Sequence, residues 1–179
     1  MSTTWPDGVP VTMPAQDRVD IEETYARYAW GIDLADRALA LSAFTEDASF
    51  DHLWQGRVQG HAAILKNLED LWYSRQHWWL GRHHLFNHFL MTPTAEGASV
   101  RCFFQIVQFN VDYGTNFVFG IGTRQDTLRK VDGRWLFQTL EVNAWRSLAD
   151  VPWKGEIVMK DRPGAPPAAA APPASGASR

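Results

Sequence analysis

The side chains best able to do chemistry are clustered: His77, His83, His84 and His88, four of the six histidines, lie within one short stretch. Histidine has an unperturbed pKa of about 6.5 and serves as base, acid or metal ligand. Which of these is open depends on the element that carries it. On a helix, His77, His84 and His88 would share a face and resemble a metal site. On a strand, residues four apart on one face are separated by about 13 Å, too far to share a zinc ion without ligands from elsewhere. Gly81, the β-rich run that follows and the lack of a nearby carboxylate favour the strand, so no metal is expected. A strand puts His83, Leu85, Asn87 and Phe89 on one face and His84, Phe86, His88 and Leu90 on the other. Alternation alone does not say which face lines a pocket. His83 and Asn87 among apolar neighbours have the composition of a small polar constellation in a hydrophobic cavity; a histidine in such a place is equally at home as a hydrogen-bonded core residue.

The elements that must position these residues can be read from periodicity. Asp17 is placed to cap a first helix in which Ile21, Tyr25, Tyr28 and Ile32 recur at helical spacing. Gly31 weakens that helix, and Asp33 sits at its last turn, where a carboxylate gains nothing from the helix dipole. A second short helix is expected over Asp36 to Phe44, then a strand from Ala48 to Leu53 and a partner strand from Arg57 to Gln59. Gly60 to Gln76 reads as a third helix with Ile64, Leu65, Leu68, Leu71 and Trp72 on its apolar side. From there the period changes: Arg82 to Thr92, Ala98 to Asp112, Thr115 to Val131 and Arg134 to Trp145 read as strands joined at Ala95-Glu96-Gly97, Tyr113-Gly114 and Asp132-Gly133. Gly120 and Gly122 inside a strand suit a bend or bulge. Helices first and a meander afterwards imply an α+β fold, a curved antiparallel or mixed sheet wrapped around the N-terminal helices.

The chain of 179 residues supports one domain. Residues 1–15 read as an extended arm, 16–150 as the domain, 151–162 as an extension and 163–179 as a Pro/Ala-rich tail too poor in apolar side chains to order itself. A net charge of -3 and the lack of a basic run exclude a general attraction for nucleic acid. The single cysteine, Cys102, cannot form an internal disulfide and suits a reducing compartment. No stretch reaches membrane-span length and the N-terminus lacks a secretory pattern, so a cytoplasmic location is expected. Nine Trp, ten Phe and four Tyr exceed what a core of this size ordinarily requires. Some of that surface, including Trp30, Trp54, Trp72, Trp78, Trp79 and Trp145, is available for a ligand or a subunit interface.

Three stretches in order, Tyr28-Ala29-Trp30-Gly31-Ile32-Asp33, Phe44-Thr45-Glu46-Asp47-Ala48 and His83-His84-Leu85-Phe86-Asn87, resemble the SnoaL-like family of the NTF2-like superfamily, with its scytalone dehydratase, bile acid 7α-dehydratase and dehydrochlorinase-like lyases. The resemblance covers about residues 16 to 148. It implies a cone of curved sheet closed by helices, and a homo-oligomer, with a trimer favoured. It also implies a helix-end aspartate paired with a strand histidine that acts as base, matching Asp33 and His83, with a tyrosine five positions before the aspartate, matching Tyr28. Asn87 matches an asparagine that follows the histidine in the dehydrochlorinase.

A carboxylate on one imidazole nitrogen fixes the tautomer and stabilises the imidazolium, which leaves the other nitrogen to take a proton. Tyr28 would donate a hydrogen bond to a leaving oxygen or an oxyanion. No nucleotide, flavin or nicotinamide motif is present, in keeping with a lyase that uses no cofactor. A small hydrophobic aromatic substrate is expected, losing water or, from a lignin-derived diarylpropane, formaldehyde. Its contacts would come from Asn87, Trp30, Trp54, Trp79, Phe89, Asn116, Asn143 and Arg146, with Asp112 a further polar candidate. Three other readings stay open: a non-catalytic binding protein, the small subunit of a ring-hydroxylating dioxygenase, and an isomerase that shuttles a proton without changing mass.

Overall fold

A computed structural model describes residues 13–52, 55–74, 79–110 and 112–155. Trp54, His77, Trp78, most of the N-terminal arm and the Pro/Ala-rich tail lie outside the described residues.

Among the described residues, three α-helices and six strands follow the expected order. Helix α1 (Ala15–Asp33) buries Ile21, Thr24, Tyr25, Tyr28, Gly31 and Ile32, the stripe that its spacing predicts, and full burial of each large apolar side chain contributes about 1.5–3 kcal/mol. The helix begins earlier than a cap at Asp17 would allow: Pro14 precedes it without a side-chain cap, its fixed φ suiting the entry into the helix. Asp17 instead lies in the first turn and accepts from Lys130 Nζ at 2.8 Å and Trp135 Nε1 at 2.9 Å. Helix α2 (Arg37–Leu41) is capped by Asp36, whose Oδ1 accepts from Leu39 N at 2.9 Å. It stops short of the Phe44 expected for its end, because Phe44 already belongs to β1 (Phe44–His52) and pairs with Phe137. Strand β2 (Gly56–Gln59) returns antiparallel to β1, and α3 (His61–Tyr73) buries Ile64, Asn67, Leu68, Leu71 and Trp72.

Strands β3 (Arg82–Thr94), β4 (Gly97–Asn110), β5 (Thr115–Val131) and β6 (Arg134–Ala144) form the meander. The sheet order is β2-β1-β6-β5-β4-β3. Every pairing is antiparallel except β1 with β6, so the sheet is mixed and β3 forms one of its edges. The β5–β6 hairpin turns at Asp132 (φ 49°) and Gly133 (φ 79°), the two left-handed positions that a tight hairpin of right-twisted strands requires. Beside Gly120 the β4–β5 register shifts, Ile106 facing Gly120 and Val107 facing Val118. Phe119 is the extra residue, and the expected bend is there.

One layer of core lies between α1, α3 and the concave face of the sheet. Within it Tyr25 meets Phe86, Phe89 and Phe137 edge-on at centroid distances of 5.3, 5.0 and 4.9 Å. The same layer holds a buried ion pair. Arg124 Nη2 stands 2.9 Å from Asp126 Oδ2, with side-chain exposures of 1% and 0%. Tyr25 Oη donates to the same carboxylate oxygen at 2.5 Å, and Glu141 N donates to Asp126 Oδ1 at 3.0 Å. Burial pushes the Asp126 carboxyl above the ordinary range, against the pull of Arg124.

Candidate active site

The last turn of α1 is held from three sides. Helix C-termini leave carbonyls without intrahelical partners, and here three of them are bonded: Trp30 O accepts from Leu34 N at 3.2 Å and Gly31 O from Asp36 N at 2.9 Å. Ile32 O accepts from two indoles, Trp72 Nε1 at 2.8 Å and Trp79 Nε1 at 2.9 Å. Gly31 allows α2 to pass against the turn, since a Cβ there would stand 2.3 Å from Ala40 N. The carboxylate of Asp33 is thereby fixed in place, facing the start of β3.

Its partner is His84. Asp33 Oδ1 lies 2.5 Å from His84 Nδ1, and Asp33 Oδ2 accepts the His84 backbone N–H at 2.7 Å. The two side chains are 8% and 10% exposed, little enough that solvent screening does not dissolve the pair. Both carboxylate oxygens are engaged by one residue, which fixes ring position as well as tautomer. An ionised carboxylate can only accept, so this hydrogen bond puts a proton on Nδ1 and makes Nε2 the acceptor of the neutral ring. The His84 ring lies between Trp79, at 6.1 Å, and Phe86, nearly parallel at 6.4 Å.

The expected partnership of Asp33 with His83 is corrected by this geometry. Strand alternation turns adjacent side chains to opposite faces; Arg82, His84 and Phe86 face the helices while His83 is exposed. His83 lines a cleft of about 230 Å³ with Ala29, Trp30, Asp33, Leu34 and Arg82, and His84 stands behind Asp33 outside that lining. A second correction concerns the far half of the strand. His88 adopts φ 55° and the register shifts between Asn87, which faces Phe103, and Leu90, which faces Arg101. One extra residue resets the alternation, so Phe89 packs on Tyr25 beside Phe86 rather than sharing a face with His83 and Asn87.

The other candidates separate clearly. Tyr28 is buried in the core, its ring near Phe44, Phe86 and Phe137; burial holds its phenol well above the ordinary range and so keeps it protonated. Trp30, 64% exposed, lines the cleft beside Asp33. Trp79 is buried and committed to the Ile32 carbonyl, with the Arg82 guanidinium over its ring at 4.4 Å. Asn87 binds His88 Nδ1 at 2.5 Å and lines a shallow groove of about 210 Å³ with Phe103, Ile121 and Trp145, away from Asp33. Asn143 donates to Asp150 O at 3.4 Å and lines another hollow with Asp51, Gln125 and Glu141. Asn116 and Asp112 are exposed at the β4–β5 end, and exposed Arg146 gives its backbone N–H to Asp150 Oδ2 at 3.0 Å. None of these five is brought to the Asp33–His84 pair. Arg82 was not anticipated: its guanidinium lies between the Trp79 and bulged Phe119 rings, at 4.4 and 4.2 Å, and its Nε donates to Gln108 Oε1 at 3.0 Å. Among the described residues no group of three or more His, Cys, Asp or Glu side chains is arranged to hold a metal ion, and no helix is long and apolar enough to cross a membrane.

A curved, unclosed sheet wrapped on N-terminal helices is the cystatin-like, NTF2-like architecture. ActVI-ORFA from Streptomyces coelicolor superposes with a TM-score of 0.63 at 21% identity, over 71% of this chain and 96% of that one. A putative scytalone dehydratase from Novosphingobium aromaticivorans does so with a TM-score of 0.61 at 22% identity, over 73% and 85%. A protein from Catenulispora acidiphila in complex with S-DNPA gives 0.65 at 20% identity, over 73% and 95%. At these identities the likeness is one of fold. No curated protein matches the chain. The model of the SnoaL-like domain matches residues 13–141, and the chain belongs to the SnoaL-like family.

Proposed function

We propose that this protein is a cofactor-independent lyase in which His84, oriented by Asp33, is the general base and Tyr28 is the hydrogen-bond donor to the departing or developing oxygen. The observation that carries the reading is the two-point grip of Asp33 on His84, at 2.5 and 2.7 Å. Such a grip leaves one imidazole nitrogen basic and stabilises the cation formed when it takes a proton, from carbon as the neighbouring hydroxyl leaves as water, or from a terminal hydroxyl as the C–C bond breaks to formaldehyde and the benzylic hydroxyl leaves as water. Burial keeps Tyr28 a donor at neutral pH. Proton transfer of this kind is worth about 10²–10⁴-fold; the remainder is assigned to positioning against aromatic walls. The substrate class is a hydroxylated aromatic molecule that loses water, as the name of the Novosphingobium neighbour suggests for that protein, or formaldehyde when the molecule is a diarylpropane. Trp30 is proposed to meet it at the cleft beside Asp33.

The test is incubation of chelator-treated protein with hydroxylated steroids, polyketide-like phenols and lignin-derived diarylpropanes, followed by mass spectrometry. Wild type and His83→Ala should release water or formaldehyde, whereas His84→Ala should not. Turnover that survives His84→Ala and disappears in His83→Ala would restore the pairing read from sequence and refute this one. A product of unchanged mass would favour the isomerase reading, and no turnover by wild type across the panel would favour a binding protein. Self-association as a trimer belongs to the same reading; the exposed Leu90, Phe103 and Ile121 support it, and light scattering of the purified protein tests it.

A further inference from the structure

The mechanism above uses none of the charge at the centre of the core, where a cation has been placed among rings. Arg124 Cζ lies over four of them, Phe86 at 4.9 Å, Tyr28 at 5.1 Å, Tyr25 at 5.2 Å and Phe137 at 5.3 Å. Its Nε and Nη2 find no hydrogen-bond acceptor; Asp126 stands 2.9 Å from Nη2 as an ion-pair partner without the alignment of a hydrogen bond. A guanidinium buried to 1% exposure is costly to desolvate, and an apolar side chain would fill the same space more cheaply. Two of the four rings lead to the site: Tyr28 itself, and Phe86, which lies nearly parallel to the His84 ring.

We propose that Arg124 is a positioning residue for Tyr28, a fixed positive charge beside the phenol ring that strengthens its hydroxyl as a donor to the oxygen on which negative charge develops. The inference rests on the reading of Tyr28 given above. Asp126, anchored by Tyr25 Oη and Glu141 N, holds the guanidinium against the rings. The charged and titratable groups around Tyr28 are Arg124 and Asp126 of β5, and Asp33 at the end of its own helix, bonded to His84 of β3. Of these, Arg124 favours release of the phenol proton, while Asp33 and Asp126 oppose it, and Arg124 acts more strongly than either. At about 5–6 Å in a partly polar interior, a unit charge moves an ionisation midpoint by on the order of one to two pH units.

The experiment needs no substrate. Tyr28→3,5-difluorotyrosine brings the phenol into a range that can be titrated, and its ionisation is followed by absorbance and by fluorine NMR. Adding Arg124→Met should raise the midpoint by on the order of one unit, and Arg124→Lys, which keeps the charge, should return it toward the parent value. A midpoint that Arg124→Met leaves unmoved in a folded protein overturns the proposal. If that variant does not fold, Arg124→Met with Asp126→Asn removes both charges and keeps one acceptor oxygen for Glu141 N, with the amide N–H able to donate to Tyr25 Oη; its midpoint should still rise, by less, and an unmoved one again overturns the proposal. Because ionisation is read without turnover, failure of the lyase reading and failure of this inference give different results.

Discussion

Replacing Gly31 by alanine sets two physical effects against each other. Helix propensity alone says that Gly31→Ala stabilises α1, by about 0.8–1 kcal/mol. The structure says the reverse. A Cβ on residue 31 would stand 2.3 Å from Ala40 N, 2.5 Å from Ala40 Cα and 2.8 Å from Ala40 Cβ, and two of those atoms are backbone, so no rotamer relieves the overlap. Helix α2 must move away, which strains the Asp36 N to Gly31 O hydrogen bond of 2.9 Å. Overpacking of this kind costs about 1–3 kcal/mol, occasionally more, and with backbone on both sides the upper part of that range applies. After subtraction of the propensity gain, a net loss of about 2 kcal/mol is expected. That corresponds to a fall in Tm of roughly 4–8 °C for a domain of this size, or to a lower urea midpoint with an unchanged slope. Because residue 31 is two positions before Asp33, the variant should also loosen the grip on His84 and lower kcat in the lyase assay. A Gly31→Ala protein as stable as wild type, or more so, would refute the claim that this glycine is required by the close passage of α2.

Three further outcomes are expected. Asp33→Asn should keep the fold, as circular dichroism would report, and lose about 10²–10⁴-fold in kcat, because an amide no longer stabilises the imidazolium. Arg124→Leu alone should lose about 3–5 kcal/mol in urea denaturation, since it strands the Asp126 carboxylate, while Arg124→Leu with Asp126→Asn, which removes that charge and keeps a hydrogen-bonding side chain beside Tyr25 and Glu141, should lose less. The Lys130 ammonium and the Trp135 indole hold the Asp17 carboxyl below its usual range; a lowered folded-state pKa contributes stability above the unfolded value of about 3.9 that fades as pH falls through the folded one. The stability gap between wild type and Asp17→Ala should therefore be present at pH 6 and should shrink below pH 4.

Most of the fold was legible because its elements obey simple periods. The stripe Ile21, Tyr25, Tyr28, Ile32 is the buried face of α1, and Asp132-Gly133 makes the turn that its residues favour. The misreadings have local causes. Phe44 reads as a helix end because an apolar residue after Leu39 and Leu41 continues a helical pattern; its pairing with Phe137, far along the chain, is invisible locally. Strand alternation divided His83 from His84 correctly but could not say which side the helices cover, and only the meeting of Asp33 with the edge strand decides it. The alternation then fails at His88, where a bulge without glycine leaves no compositional mark. Arg124 and Asp126 escaped notice for a similar reason: they share a face with Gly122 and Leu128, and the opposite face, Thr123, Gln125 and Thr127, is just as polar.

The double indole contact on the Ile32 carbonyl also makes α1 report on itself. Trp72 and Trp79 are both buried and donate to one oxygen, so any event that unwinds the last turn of that helix releases two fluorophores into water together. Their emission should shift to longer wavelength before the sheet unfolds, and a ligand that seats against Asp33 and His84 should delay that shift. The same two bonds that hold the carboxylate in position thus supply an intrinsic optical readout of whether the site is assembled.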